Sequence, residues 1–412
     1  MNAYNVSTTR SHGRSPRVLI SGAGIAGPAA ALCFGRAGWA PTVVERAPAL
    51  RAGGHAVDFR GPVHREILER LDLWKPIHER RTTPVPLTLL DATDEAVATL
   101  PEVMMAGDVE ILRGDLTQLL YDRTRAFTDF RFGERIANIE RGPAGAHVTF
   151  EGASARDETF DLVVIAEGLR SKLRAQVFGE SARLEHHGYR VATFEVPAEL
   201  VTRGAATLRT APGRALLLAP AAESARAILV FRGGPLELDE RDQARALLQS
   251  TFANTSAIVD RVLDALASAD DVYLDAIASV RTERYASGRV VLLGDAAWGG
   301  TLGGQGTSLA IVGAYVLAGE LSGAHDMATA LGRYERTMRP YASGCQRGAA
   351  RVGGFFAPRT RLGIWLRNAM YGALTSPRLV GLFERLVVDA AADFEVPRYR
   401  NFEATAAPAS AV

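Results

Sequence analysis

Gly22, Gly24 and Gly27 form a Gly-x-Gly-x-x-Gly turn, and the residues on either side give such a turn a chemical use. Val18-Leu19-Ile20 reads as a short buried strand, the Ala-rich stretch 28–37 as a helix stopped near Gly38, and Thr42-Val43-Val44 as a second strand ending in Glu45-Arg46. Strand, turn, helix, strand and acid thus follow one another within about 30 residues, the context a dinucleotide site needs. Gly22 permits the tight turn, Gly24 lets a pyrophosphate approach the backbone, and Gly27 lets the helix lie close to the strand. The helix N-terminus offers free amides and a positive dipole end to phosphate. Glu45 stands where a carboxylate accepts hydrogen bonds from adenosine ribose hydroxyls, and it disfavours the 2′-phosphate of NADP at this site. The motif alone leaves NAD and FAD open, and a ligand-free strand-turn-helix corner is the plain alternative.

Three further segments put acidic, glycine and basic residues at the ends of short apolar strands. In 288–297 a strand runs into Gly294-Asp295; Gly299-Gly300-Thr301-Leu302-Gly303-Gly304-Gln305-Gly306 and an apolar helix over 307–321 follow. An Asp at such a mouth can accept hydrogen bonds from a polyol or sit near a phosphate, while small residues let a flat ring lie on backbone amides. A helix-capping Asp at an ordinary corner explains the same residues equally well. The run Asp161-Leu162-Val163-Val164-Ile165-Ala166-Glu167-Gly168 continues into Arg170, Lys172 and Arg174, and Arg113 follows the strand-like Glu110-Ile111-Leu112. Singly, each reads as a structural corner; their order along the chain is the informative property.

In that order the four segments resemble the class A flavoprotein monooxygenases, the family of para-hydroxybenzoate hydroxylase and the tetracycline-inactivating monooxygenases. The resemblance spans about residues 16–340. It implies an α/β fold: a Rossmann-like FAD-binding domain with an inserted β-sheet substrate domain and a C-terminal helix. It places Gly22, Gly24, Gly27 and Glu45 on the ADP part of FAD, with Arg46 and Arg113 as basic contacts. Asp58, with Gly53-Gly54, matches a loop near the adenosine and ring region, and Asp295 matches the contact to the ribityl-pyrophosphate part. Gly306, Thr307 and Ser308 match the helix start that faces the flavin pyrimidine edge. The implied reaction uses NAD(P)H to reduce the flavin, O2 to form a C4a-hydroperoxide, and an aromatic or polycyclic natural product as oxygen acceptor. No second strand-linked Gly-x-Gly-x-x-Gly occurs, which fits a nicotinamide cofactor that visits and leaves.

The chain departs from that family at three places. Glu167-Gly168 stands where Asp-Gly is usual, Trp298 where His is frequent, and Thr301-Leu302 where the flavin loop carries Pro. Trp298 is the pocket candidate, with packing of the loop as the equal alternative; no catalytic side chain is otherwise assigned. The altered loop motivates a rival reading as an FAD-dependent oxidase or dehydrogenase, and Glu167 one as a non-redox ligand-binding relative. His55, His64, His78, His186 and His187 lack metal spacing or a paired carboxylate and read as surface or hydrogen-bonded core residues.

The elements that must position these residues follow from patterning. The 412 residues are 47% hydrophobic and 23% charged with a net charge of +1, a globular composition with no global field for nucleic acid. Lys75 and Lys172 are the only lysines, so the positive charge is nearly all Arg. Cys33 and Cys345 make neither a disulfide framework nor a metal cluster. The N-terminus lacks a signal's apolar core, and no apolar run reaches the ~18 residues of a membrane span, so a cytoplasmic protein is expected. The motif positions predict a discontinuous FAD-binding domain over 16–81, 108–183 and 281–342, and a substrate domain from 82–107 and 184–280. Within the latter, 189–196, 205–210, 215–218 and 227–231 read as strands and 236–266 as helical. The C-terminal helical segment, 355–397, has apolar residues Leu362, Trp365, Leu366, Ala369 and Met370 at helical spacing. A stripe packed across the two domains is the favoured reading, a membrane-surface helix the other. Residues 401–412 read as a frayed tail, and oligomeric state is left open.

Overall fold

Val18, Leu19 and Ile20 have no exposed surface, because their strand, Arg17–Ser21, lies inside a sheet and is covered on both faces. It pairs in parallel with Ala40–Glu45 on one side and Leu162–Ile165 on the other. The full order of this six-stranded sheet is Ala286–Ser287, Val290–Leu292, Leu162–Ile165, Arg17–Ser21, Ala40–Glu45 and Asp129–Phe132, with only the first strand antiparallel. Such continuous apolar strands are what a sheet covered by helices requires. The computed structural model describes residues 14–51, 54, 56–102, 107–142, 145–152, 156–202, 204–221, 224–236, 241–299, 305–322, 324–376 and 394–402.

The helices Ala26–Arg36 and Gln305–Ser322 pack on this sheet and on each other. From Ser308 to Leu321 the second of them has Glu320 as its only residue that is not buried, so it is a core helix throughout. A three-stranded antiparallel sheet, Glu134–Arg141, Ala146–Gly152 and Asp157–Phe160, lies beside the parallel one.

A separate seven-stranded sheet runs Tyr273–Thr282, Ala182–Val196, Ala225–Arg232, Arg214–Pro220, Ala206–Ala211, Leu87–Leu90 and Ala96–Leu100. Alternation along its strands divides it into two faces. Phe194, Leu216, Leu218, Leu229 and Phe231 pack under the helices Arg241–Phe252 and Ala257–Ser268. Tyr189, Leu208, Leu217, Val230 and Ile277 belong to the other face, which Phe355 and Phe356 partly cover. The expected strands are present, three of them longer than expected and Ala206–Ala211 shifted by one residue, whereas Tyr273–Thr282 was missed by the sequence reading. The helical stretch expected over 236–266 is two helices among its described residues, because Asn254 turns the backbone to φ 56° between them.

The C-terminal stripe faces the other way from the favoured expectation. Helix Arg361–Leu374 exposes Leu362, Trp365, Leu366 and Met370 by 64%, 63%, 54% and 50%, while Arg367 is buried. The physical reason is an anchor on the opposite face. Arg367 Nη1 donates to the carbonyls of Phe355 and Phe356 and to Thr210 Oγ1, at 2.9, 3.3 and 3.1 Å. Those carbonyls end the preceding helix, Met327–Phe356, and lack further helical partners. Residues 377–393, the rest of the expected C-terminal helix, lie outside the described residues.

A buried histidine ties helix Gly61–Arg70 to Met327–Phe356. His64 Nδ1 accepts from the Arg60 backbone N–H at 2.9 Å, so the neutral ring carries its proton on Nε2 and donates to Tyr341 Oη at 2.7 Å. Burial, with Arg60 adding to it, pulls the His64 pKa down from 6.5 to about 4. Between those values the unfolded chain takes up a proton that the folded chain refuses. The resulting stability is full above the upper value and is lost as pH falls, by about 3 kcal/mol in all. Asp58 opposes it: burial raises its carboxyl from 3.8 to about 6 despite Arg60, so the folded chain holds that proton first. We therefore expect a shallow change in wild-type melting temperature between pH 7 and about pH 4.5. Asp58→Asn should steepen the loss on acidification, and His64→Gln should reverse it. Identical slopes for all three proteins by differential scanning fluorimetry would refute the assignment.

Candidate functional site

In a parallel sheet, ligands bind beyond the carboxyl ends of the strands, where consecutive connections leave to opposite sides. Here that point lies between Arg17–Ser21 and Leu162–Ile165. Backbone hydrogen bonds align the strand ends: Gly22 N donates to Val44 O, Ala166 N to Ser21 O, and Leu293 N to Ile165 O. Gly22, Glu45, Glu167 and Asp295 are thereby delivered to one edge from four separate segments.

The three turn glycines have distinct steric reasons. Gly22 has φ 110°, and a Cβ there would lie 2.6 Å from the Ala166 carbonyl oxygen. A Cβ on Gly27 would lie 1.9 Å from the Gly22 carbonyl oxygen, so the helix start and the turn touch backbone to backbone. A Cβ on Gly24 would meet only Arg113 Nη2, at 3.9 Å. Gly24 is thus small beside space that the protein itself leaves open, next to a guanidinium. Glu45 holds the turn as well as facing it: Oε2 accepts from Ala23 N–H and Oε1 from Ala47 N–H, both at 2.9 Å. A carboxylate has lone pairs left for ribose hydroxyls beyond those two bonds.

Asp295 follows Gly294, whose φ of 63° turns the chain from strand Val290–Leu292 into the short helix Asp295–Trp298. A Cβ on Gly294 would lie 2.8 Å from Ala26 Cβ and 3.6 Å from Ala310 Cβ. The acid therefore sits where the first helix, the Gly-Asp turn and the helix Gln305–Ser322 converge. Its carboxylate makes no hydrogen bond among the described residues. Burial raises its pKa, Arg113 pulls it back, and Asp275 pushes it up again. A half-buried carboxylate facing one cation and lacking donors is a fitting acceptor for a polyol's hydroxyls. Gly306, Thr307 and Ser308 form the first turn of Gln305–Ser322, with Ser308 buried and its hydroxyl on Gln305 O at 3.3 Å. Together the unfilled space at Gly24, the Arg113 cation, the Asp295 acceptor and the helix start fit FAD.

Glu167, the departure from the usual Asp-Gly pair, is fully engaged. Its Oε1 accepts from Ser21 Oγ and its Oε2 from Ser171 Oγ, each at 2.7 Å. The longer arm reaches across to the end of the first strand and fixes the start of helix Lys172–Phe178, where Ser171 Oγ caps Arg174 N–H at 3.0 Å. Arg174 is 4% exposed; its Nη2 donates to Leu169 O at 2.7 Å and its Nη1 to Ala296 O at 3.4 Å. Burial lowers its pKa, Glu167 opposing. Ser21, Ser171 and Arg174 so couple the middle segment to the first turn and to Asp295; the sequence reading assigned them no role. Ser171, three residues before Arg174, is the one with a local signal, that of an N-cap.

The same edge meets the second sheet. Arg170 bridges to Asp275 at 2.9 Å on Tyr273–Thr282, and Tyr273, half exposed at the start of that strand, feels the charges of Asp275, Asp295, Arg113 and Arg170. A Cβ on Gly299 would lie 2.6 Å from Val280 N, so the flavin-loop candidate runs against the same strand. Beside that contact His187 Nε2 shares a proton with the buried Ser279 Oγ at 2.8 Å. Asp275, Tyr273 and Ser279 lie on the strand that was missed, which is why they went unnamed.

Other expected residues fall elsewhere. Trp298 is not a pocket wall: it is 1% exposed, its ring is edge-on to Tyr285 and against Gly313, and its carbonyl accepts from Gln346 Nε2. A large flat ring at the base of the turn fills core volume that the small residues around it leave. Asp58 is buried in an ion pair with Arg60 on the strand Ala56–Phe59. Arg46 is exposed and lines, with Arg51, Glu134, Arg135 and Glu151, a cleft of about 570 Å³ beyond Glu45. A Cβ on Gly54 would lie 3.3 Å from Arg113 Cβ, whereas Gly53, His55 and the loop 300–304 lie outside the described residues.

A parallel sheet with this strand-end site, set against a second, mostly antiparallel sheet, is the architecture of an FAD-binding oxidoreductase. Residues 16–347 match the family model described as FAD binding domain, and the chain belongs to the class A flavoprotein monooxygenase family. It is 31% identical over 340 residues to a flavin-dependent monooxygenase from an unidentified prokaryote, covering 80% of this chain and 87% of that one. It is 37% identical over 321 residues to an uncharacterised protein of Mycobacterium tuberculosis, covering 75% and 86%. Among solved structures it is similar to the tetracycline destructase Tet(51), at 28% identity with a TM-score of 0.80 over 94% of this chain and 100% of that one. HpxO of Klebsiella pneumoniae, solved with FAD and uric acid, shares the fold at 22% identity and a TM-score of 0.73, covering 90% and 97%. The protein is accordingly an FAD-dependent monooxygenase.

The two inner glycines separate packing from cofactor binding. Gly24→Ala should leave the stability of the apoprotein within about 1 kcal/mol of wild type while weakening FAD binding at least about tenfold. Gly27→Ala should destabilise the apoprotein itself by several kcal/mol, roughly 3 or more, since backbone must move. Thermal unfolding of apoprotein plus flavin titration reads both; equal effects of the two substitutions would contradict the geometry.

Proposed function

We propose that the protein uses NAD(P)H and O2 to oxygenate an electron-rich aromatic or polycyclic natural product. The observation that carries this reading is the juncture of the FAD-type edge with the second sheet, at Arg170–Asp275 and Gly299–Val280. FAD, when bound, supplies the redox chemistry: reduction by a nicotinamide and transfer of oxygen from O2 to carbon. The chain's own part is to hold, orient and exclude water. Gly22, Gly24, Gly27, Glu45, Arg113 and Asp295 would hold FAD; Gly306, Thr307 and Ser308 would place amides at the ring end; Arg46 and Asp58 remain candidate contacts. Segments 16–81, 108–183 and 281–342 would form the cofactor-binding unit, with 82–107 and 184–280 facing substrate.

The sheet face that meets this edge supports the substrate class that the family resemblance implies. Tyr273, Asp275, Ile277 and Ser279 alternate on one strand, and Tyr189 and Ile277 belong to an apolar cluster. Flat apolar surface with a few hydroxyl and carboxylate partners suits a fused-ring compound bearing hydroxyl or carbonyl groups. The tetracycline destructases named among the structural relatives act in keeping with that class. NAD(P)H use rests on the family and on the single dinucleotide turn in the chain. That turn's Glu45 leaves the nicotinamide cofactor to a transient visit. A cytoplasmic location fits a nicotinamide supply.

Purified protein loaded with FAD should consume NADH or NADPH faster when a suitable polycyclic phenol is present. The product should carry one oxygen atom from labelled dioxygen by mass spectrometry. Stoichiometric peroxide with an oxidised, unlabelled product would replace this reading with an oxidase. Asp295→Asn should retain the folded protein and raise the FAD dissociation constant about tenfold, by loss of charge-assisted hydrogen bonds.

A further inference from the structure

Leu362, Trp365, Leu366, Ala369 and Met370 form one exposed stripe of helix Arg361–Leu374, the four large ones each at least half exposed. Their order, at intervals of three and four residues, keeps them on a single side. That side cannot turn inward, because Arg367 fastens the opposite one to the Phe355 and Phe356 carbonyls and to Thr210. Gly372, whose Cβ would lie 3.2 Å from Val97 O, brings the helix against Ala96–Leu100, the outer strand of the seven-stranded sheet. The stripe thus crowns the free edge of the substrate-type sheet.

Charge says what covers it. Between Glu335 and Glu384 the sequence holds eight Arg and no Asp or Glu, in a chain whose net charge is +1. Arg351, Arg359 and Arg361 are exposed, and the last two flank the stripe at the start of its helix. An apolar face containing Trp, Leu and Met, bordered by cations and with no acid on its own helix, is the composition of a helix that lies in a lipid interface. A second copy of this chain would instead bring like charges together across the contact. Among the described residues no helix is long and apolar enough to cross a membrane, so the contact would be peripheral.

We propose that helix Arg361–Leu374 docks the protein on an anionic lipid bilayer, with Trp365 and Leu366 entering the interface and Arg359 and Arg361 meeting the head groups. The free edge of the substrate-type sheet then faces the membrane, where apolar polycyclic compounds concentrate. This docking does not depend on the reaction the enzyme performs.

The test is flotation of the FAD-loaded protein with vesicles of phosphatidylcholine and phosphatidylglycerol in equal parts, and with phosphatidylcholine alone. Wild type should float with the mixed vesicles, less at high salt, and far less with the neutral ones. Trp365→Glu with Leu366→Glu should raise the lipid needed for half binding by at least about tenfold. The melting temperature and flavin spectrum should stay unchanged in that variant. Arg359→Glu with Arg361→Glu should remove the preference for anionic lipid. On binding, tryptophan emission should shift to shorter wavelength through Trp365, since Trp39, Trp74 and Trp298 are already half or fully buried. Failure of wild type to float, or flotation unaffected by the Glu substitutions, would overturn the proposal. So would a dimer by light scattering that the same substitutions dissolve, which would make the stripe a self-interface. A large drop in melting temperature in the Trp365 and Leu366 variant would instead assign the stripe to a partner within the chain.

Discussion

The contact between Gly27 and the Gly22 carbonyl is the constraint on which the rest of the site depends. With room for no Cβ at 1.9 Å, it fixes how steeply the first helix leaves the first strand. That angle sets where the free amides of the turn point and holds open the space beside Gly24. It also brings Ala26 to 2.8 Å from a Cβ position on Gly294, so the Gly-Asp turn must follow the same path. Two distant stretches of chain are therefore locked by backbone approach rather than by side-chain affinity, and close packing tolerates little adjustment there.

Polar networks then hold what the glycines position. Glu167 joins Ser21 to Ser171, and Arg174 joins Leu169 to Ala296. Glu167 is well supplied with partners, as a charge removed from water must be, whereas Arg174 keeps its Nε buried without one. Asp295 is the contrasting case: half-buried, raised in pKa by burial and by Asp275, and offset only by Arg113 across the gap. The scaffold acids thus take the nearby hydrogen-bond donors, and Asp295 is left without one among the described residues. The unusual Glu at 167 is thereby accounted for as a structural tie, which removes it as a reason to doubt cofactor binding.

The second sheet has its own core under two helices and meets the cofactor edge through few contacts, chiefly Arg170–Asp275, Gly299 against Val280, and Gln346 bridging Val280 and Trp298. The junction is polar and partly exposed, while the sheet face behind it is an apolar cluster that Phe355 and Phe356 partly cover. Its outer edge carries the helix whose Arg367 is buried and whose Trp365 is not.

What the sequence by itself determined is the set of strand-end motifs: the turn at 22–27, Glu45, the segment through Glu167, and Gly294-Asp295. Each is legible because it is local, with the constraint and the residues that meet it lying within one strand-turn-helix unit. The long buried helix after residue 305 was legible for the same reason, being apolar on every side. Tertiary structure decided which corners touch. Ser21 meets Glu167 across 146 residues, Arg174 meets Ala296 across 122, and Arg170 meets Asp275 across 105. No local spacing encodes such pairs. It also decided that Trp298 fills core, that Asp58 pairs with Arg60, and that the C-terminal stripe looks outward. Periodicity reveals that a helix has two faces, but which of them is buried depends on what the rest of the chain offers; here unpaired carbonyls claimed the arginine.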